Sequence, residues 1–231
     1  MNHQSPIFVV SLTRSKERRQ EISAFLDNLD LEFEFFDAID GENIPSEYMA
    51  RVDQEFSLAR KILGRGLSKG EVGCALSHAL LYEKMVMEGI DFAYILEDDA
   101  IPGESFANLV KKATLAKDSR IELATFRYQP LLAWRRGEIQ LASGLCACRP
   151  MQHPFSTVAY YITRAAASRL REAAFPISVT ADWPTAIHKW LTTYCVWPRL
   201  VDTWSEDENS ILHPERAALE AERCRITESM E

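Results

Sequence analysis

Long apolar runs are missing from this chain. No stretch approaches the roughly 20 consecutive apolar residues that a membrane-spanning helix needs. Met1-Asn2-His3-Gln4-Ser5-Pro6 has no basic start leading into an apolar run, so no signal peptide is expected. The five cysteines are odd in number and lack framework spacing, which points to reduced thiols and a cytoplasmic setting. Cys146 and Cys148 form a C-x-C, yet no second pair or histidine cluster follows to complete a zinc site. Positive charge is also in deficit: 26 Lys and Arg against 34 Asp and Glu give a net charge of −8, which argues against nucleic acid as the main partner. A small phosphate ligand remains compatible, because a few side chains or a metal offset its charge. Nucleotide and nucleophile fingerprints are absent as well. There is no G-x-G-x-x-G after the first apolar run, no G-x-x-x-x-G-K-[ST] and no G-x-S-x-G, which sets aside dinucleotide dehydrogenases, P-loop enzymes and nucleophile-elbow hydrolases.

What is present suits an α/β fold. A chain of 231 residues with 47% hydrophobic content can build a sizeable core. Ile7 to Leu12 reads as a buried strand, followed by a helix capped by Thr13 or Ser15 with Ile22, Phe25, Leu26 and Leu29 on one face. Phe33 to Phe36 is a second strand, and strand–helix–strand at this spacing makes a parallel βαβ unit. Residues 42–67 read as a loop with a short helix. Ser68-Lys69-Gly70-Glu71 is a capping box that opens a helix ended by Gly89, and Phe92 to Leu96 is a third strand. Further strands are expected at Ile121–Phe126, Val158–Ile162 and, last, Tyr194–Trp197. Thr163 caps one later helix, and Asp182-Trp183-Pro184 starts another. Residues 127–156 read as irregular. The expected architecture is an open, mostly parallel sheet flanked by helices over residues 1–201, with an acidic tail or flap from 202 to 231.

Open α/β sheets bind ligands beyond the carboxyl ends of their strands. Three such ends are polar here: Ser11 to Arg14, Asp37 to Gly41, and Glu97-Asp98-Asp99. Adjacent carboxylates repel unless a cation or strong donors neutralise them, and a hard divalent ion bridging phosphate oxygens suits such ligands. A solvated loop or helix cap accounts for the triplet equally well at this point.

Four blocks carry a family resemblance. They are Val9-Val10-Ser11-Leu12-Thr13-Arg14 with Glu17-Arg18-Arg19, then Phe36-Asp37-Ala38-Ile39-Asp40-Gly41, then Leu67-Ser68-Lys69-Gly70-Glu71-Val72-Gly73-Cys74-Ala75-Leu76-Ser77-His78, and finally Ile95-Leu96-Glu97-Asp98-Asp99. In order and spacing they resemble glycosyltransferase family 25, the lipooligosaccharide galactosyltransferases. Tyr160-Tyr161-Ile162-Thr163-Arg164 with Ala166 resembles a later family stretch, with Ala159 where the family has Gly. The resemblance implies a GT-A-like fold, a UDP-sugar donor (galactose as the sugar), a glycan or glycolipid acceptor, inversion, and Mn²⁺ or Mg²⁺ on a DxD-like triplet. It also implies a cytoplasmic protein in peripheral contact with the membrane.

On that reading Asp99 and Glu97 ligate the metal, with His213 as a third ligand from the tail, and Asp98 bonds the ribose or the donor sugar. Ser11, Leu12 and Arg14 hold the nucleoside. Arg18 or Arg19 reaches the phosphates or is an exposed first-turn arginine; Asp37 and Asp40 touch ribose or make a turn. Glu71 contacts the donor or serves only the capping box. Ser77 and His78 contact donor or acceptor, or pack in the core. Asp182 is the general base or a helix N-cap. Trp134, Trp183, Trp190 and Trp204 offer sugar-stacking faces or ordinary packing. A non-catalytic nucleotide-sugar binding module and a metal-dependent phosphohydrolase are the rival readings.

Overall fold

The structure, a computed structural model, describes residues 5–204. In chain order its elements are β1 (Ile7–Ser11), α1 (Lys16–Asn28), β2 (Glu34–Asp37), α2 (Ser46–Met49), α3 (Ser57–Leu63), α4 (Lys69–Met87), β3 (Phe92–Glu97), β4 (Ala100–Pro102), α5 (Glu104–Lys111), β5 (Leu123–Thr125), β6 (Ala133–Ala142), β7 (Leu145–Pro150), β8 (Ala159–Thr163), α6 (Arg164–Ala174), β9 (Thr193–Trp197) and β10 (Val201–Thr203). The main sheet runs β2-β1-β3-β8-β5-β9-β7-β6. Strands β2, β1, β3, β5, β9 and β6 point one way, while β8 and β7 run against them. This is the open, mostly parallel sheet expected from the sequence.

Central strands are apolar along their whole length because both faces are covered. From β1, Ile7 and Val9 pack with Ile22 and Leu26 of α1 and Phe106 of α5; Phe8 and Val10 pack on the other face with Leu81 and Met85 of α4 and Leu170 of α6. At the N-terminus of α4 the capping box is complete, with Ser68 Oγ accepting from Glu71 N–H at 3.2 Å and Glu71 Oε2 accepting from Ser68 N–H at 2.9 Å. Thr163 caps α6 through Ala166 N–H as expected, whereas Ser15 caps α1 without a side-chain bond.

Several expectations differ. Residues 127–156 contain the β6–β7 hairpin, turning at Ser143-Gly144, where Gly144 has φ +71°. Its outer strand is polar and largely exposed, so it lacks the alternating apolar pattern that marks a half-buried strand. No helix starts at Asp182: Trp183 takes φ +72°, a left-handed conformation that breaks a helix, and only a short 3₁₀ turn follows at Ile187–Lys189. Trp197 does not end the last strand, since β10 pairs antiparallel with β4. The tail beyond residue 204 lies outside the described residues.

The loop after β2 is pressed against α4. A Cβ on Gly73 would lie 2.6 Å from Ile39 O and 2.7 Å from Gly41 N, and one on Gly41 would collide with Lys69 O. Gly73→Ala should therefore cost about 1–3 kcal/mol of unfolding free energy through overpacking. Urea denaturation checks this, and a neutral result would mean the loop moves aside without penalty.

Candidate active site

The carboxyl ends of β1, β2 and β3 open into one cleft. Ser11, Leu12, Arg14, Arg18, Asp40, Gly41, Cys74, Ser77, Glu97, Asp98 and Asp99 all line it. Strand β3 ends at Glu97, and Asp98-Asp99 form a tight turn into β4. The side chains of the triplet therefore diverge.

Asp98 turns inward. Its Oδ2 accepts from Ser11 Oγ at 2.7 Å and its Oδ1 from Arg18 at 3.2 Å. Burial pushes its carboxyl above the ordinary value, and the Ser11 hydrogen bond and Arg18 charge only partly oppose this. Its bonds are to protein groups at the floor of the cleft. Glu97 turns the other way, where Thr157 Oγ1 donates to its Oε1 at 2.7 Å and His78 Nε2 lies 3.2 Å from the same oxygen. His78 Nδ1 meets the Tyr160 hydroxyl at 2.8 Å, which in turn lies 3.1 Å from the Tyr82 hydroxyl. Tyr160 donates to Tyr82, so His78, Tyr160 and Tyr82 form one buried hydrogen-bonded chain that ends at Glu97. Burial raises both tyrosines well above the ordinary phenol value. Asp99 is buried and lines the cleft with Glu97 and Asp98.

The arginines have separate duties. Arg19 leaves the cleft, donating to Ser11 O at 2.8 Å, Leu12 O at 3.2 Å and Asp37 Oδ1 at 2.5 Å, and lying over the Phe35 ring. It ties the ends of β1 and β2 together. Arg18 lies between Asp98 and the Trp204 ring, and Arg14 pairs with Asp40 at the cleft mouth. Burial alone would raise Asp40, but bonds from Glu42 N–H, Asn43 and Arg14 hold its carboxyl below the ordinary value.

Helix α4 supplies the opposite wall. Ser77 Oγ accepts from Ile39 N–H at 2.8 Å and donates to Gly73 O at 2.6 Å, fastening the β2 loop to the helix. Glu71 is buried, completes the capping box and makes a two-point ion pair with Arg65 at 2.7 and 2.9 Å. Asp182 does not line the cleft. Its Oδ1 accepts from Ser156 N–H at 3.0 Å, one residue before the Thr157 that holds Glu97. Trp183 packs edge-on against Tyr160, Trp190 lies against Arg169, and Trp134 is exposed on β6. His213 falls outside the described residues. Thr157, two residues before β8, carries no sequence signal, and Tyr160 carries only its place in the later family-like stretch. Cys74 does carry one, since it precedes His78 by one helical turn, and the donor atoms of Cys74, His78 and Glu97 lie within 4.8 Å of one another.

This cleft lies within residues 4–185, which match the family described as glycosyltransferase family 25 (LPS biosynthesis protein). Shorter stretches are similar to curated relatives. A "Glycosyltransferase 25 family member" of Aedes aegypti is 35% identical over 97 residues, 41% of this chain and 16% of that protein. The "Lipooligosaccharide biosynthesis protein lic2B" of Haemophilus influenzae is 34% identical over 98 residues, 42% of this chain and 35% of that protein. A "Probable inactive glycosyltransferase 25 family member 3" of Rattus norvegicus is 32% identical over 108 residues, 46% of this chain and 19% of that protein. The matched region thus spans a minor part of each relative.

Removing the Ser11 hydroxyl leaves buried Asp98 short of a donor. Ser11→Ala should cost about 1–3 kcal/mol at neutral pH. The variant raises an already raised folded-state pKa, so the loss is full above both folded values. It fades as pH falls toward the ordinary carboxylate range, where Asp98 is protonated in either protein. Urea melts at pH 7 and pH 4 check this; a pH-independent loss would assign the cost to packing alone.

Proposed function

This chain belongs to glycosyltransferase family 25, and on that premise we propose that it transfers galactose from UDP-galactose to a lipooligosaccharide-type glycan with inversion. The cleft carries the reading: Glu97 and Asp99 face it at the end of β3, with Arg14 and Arg18 at the end of β1. The donor's diphosphate lies toward Arg14 and Arg18, and its nucleoside lies over Ser11-Leu12 and the Asp37–Gly41 loop. Glu97 and Asp99 are hard oxygen donors in one cleft, which fits Mn²⁺ or Mg²⁺. When bound, that ion neutralises charge on the departing UDP.

Asp182 is the proposed base. The Ser156-Thr157 step holds both carboxylates, Asp182 through the Ser156 N–H and Glu97 through the Thr157 hydroxyl. Asp182 takes the acceptor hydroxyl proton as the oxygen bonds to the sugar's anomeric carbon, and the bond to UDP breaks with its electron pair leaving on phosphate. The acceptor class is supported by the relative named for lipooligosaccharide biosynthesis. A lipid-borne acceptor would bring the chain to the cytoplasmic membrane face as a peripheral protein; no described helix is long and apolar enough to cross a membrane.

Two observations favour a second reading, a nucleotide-sugar binding module without turnover. Asp182 lies outside the cleft lining, and one similar relative is named as probably inactive.

UDP-galactose with Mn²⁺ should raise the melting temperature, by linkage worth about 2.7 kcal/mol at a hundredfold excess over Kd. Absence of any shift across UDP-sugars would sink both readings. Asp99→Ala should remove the metal-dependent part of the shift and all transfer. Asp182→Asn should lower transfer by about 10²–10⁴-fold while sparing UDP binding; full activity in that variant removes it as base. A ligand shift in the wild type without sugar transfer to any glycan acceptor supports the binding module.

A further inference from the structure

We propose that the far edge of the sheet carries a second cation site, for a thiophilic divalent ion such as Zn²⁺, held by Cys146, Cys148 and Glu138. This edge is separate from the cleft. The cleft sits at β2-β1-β3, whereas these residues lie on β6 and β7 at the other end of the strand order.

Register brings the donors together. Cys146 and Cys148 are two apart on β7, so both thiols leave the same face of the sheet. Ile139 of β6 pairs with Ala147, which puts Glu138 beside Cys148 on the thiol face. The donor atoms of Glu138, Cys146 and Cys148 all lie within 4.8 Å of one another. The two sulfur atoms are 3.7 Å apart. Zinc–sulfur bonds of about 2.3 Å at a tetrahedral angle place two sulfurs about 3.8 Å apart, so the ion would enter with little movement of either thiol.

Chemistry and access agree with this. Thiolate ligands select soft or borderline ions over Mg²⁺ and Mn²⁺, which separates this site from the oxygen ligands of the cleft. The group borders a cavity of about 860 Å³ that also meets Tyr128, Cys195 and Trp197, so an ion has both an entry path and a fourth coordination position facing that space. Cys195 pairs directly with Cys148 across β9, but its sulfur already accepts from Thr125 Oγ1 at 3.3 Å, which leaves the fourth position to solvent or a small ligand. Glu138's other neighbour is Arg135 at 3.8 Å; that arginine is 92% exposed and can swing away. The bound ion would join the polar outer strand β6 to β7.

Co²⁺ is the probe. The reduced, chelator-treated protein should bind one equivalent through thiolates, besides any ion in the cleft, and show near-ultraviolet sulfur-to-cobalt absorption with visible bands of tetrahedral cobalt, displaced by Zn²⁺. The Cys146→Ser/Cys148→Ser double variant should lose these bands, and Cys74→Ser should keep them, since Cys74 belongs to the cleft. Far-ultraviolet circular dichroism checks that the double variant folds. Glu138→Gln, on an exposed strand, should weaken cobalt binding at least about tenfold. Absence of sulfur-to-cobalt bands in the wild type overturns the site, as does their persistence in the double variant. Unchanged affinity in Glu138→Gln removes the carboxylate as a ligand and with it the site as proposed.

Discussion

The hydrogen bond from Ser11 to Asp98 sets the geometry of the cleft. A carboxylate this buried is unfavourable in its charged form unless donors surround it. Ser11, from the end of β1, and Arg18, one turn into α1, are those donors. Arg19, next along the same helix, returns to the Ser11 carbonyl and reaches Asp37 on β2. One polar junction therefore locks the ends of three adjacent strands. Because it occupies Asp98, the triplet divides: Asp98 is held by β1 and α1, while Glu97 is held by Thr157 and His78.

Helix α4 is the second determinant, and successive turns of it do different work. Its first turn closes the capping box and pairs Glu71 with Arg65. The next turn presents Gly73, whose missing side chain lets the β2 loop approach within contact distance. Ser77 then fastens that loop, and His78 reaches across to Glu97. The Tyr82–Tyr160–His78 chain links the core to the cleft carboxylate, so the position of Glu97 depends on residues buried behind it. Groups of this kind fix the orientation of the side chain they bond.

The sheet has two unlike ends. Around β1 and β3, parallel strands buried on both faces give a rigid base for the cleft. Beyond β8, which runs against its neighbours, the order continues through β9 and the β6–β7 hairpin, whose outer strand is polar. The inner strands there still bury Leu145, Ala147, Tyr194 and Val196 in the main core, so only the outer strand is left to solvent.

By itself the sequence determined the buried strands, the capped α4 helix and the ordered blocks that place the triplet at a strand end. These are local: a continuous apolar run, a Ser-x-x-Glu cap and a carboxylate after a strand need no distant partner to be read. Arg19 and Glu71 were legible as functional candidates, but only the fold shows that their charges are engaged by Ser11, Leu12 and Asp37, and by Arg65. The hairpin at 133–150 leaves no mark in the sequence because an exposed strand has no apolar alternation, and the helix expected at Asp182 is broken by the left-handed backbone of Trp183. Tertiary structure alone decided that Ser11 and Arg18 engage Asp98 while Thr157 and His78 hold Glu97, and that Glu138 lies beside Cys146 and Cys148. The physical reason is the same in both cases. Register between strands brings together residues whose separation along the chain carries no trace of their contact.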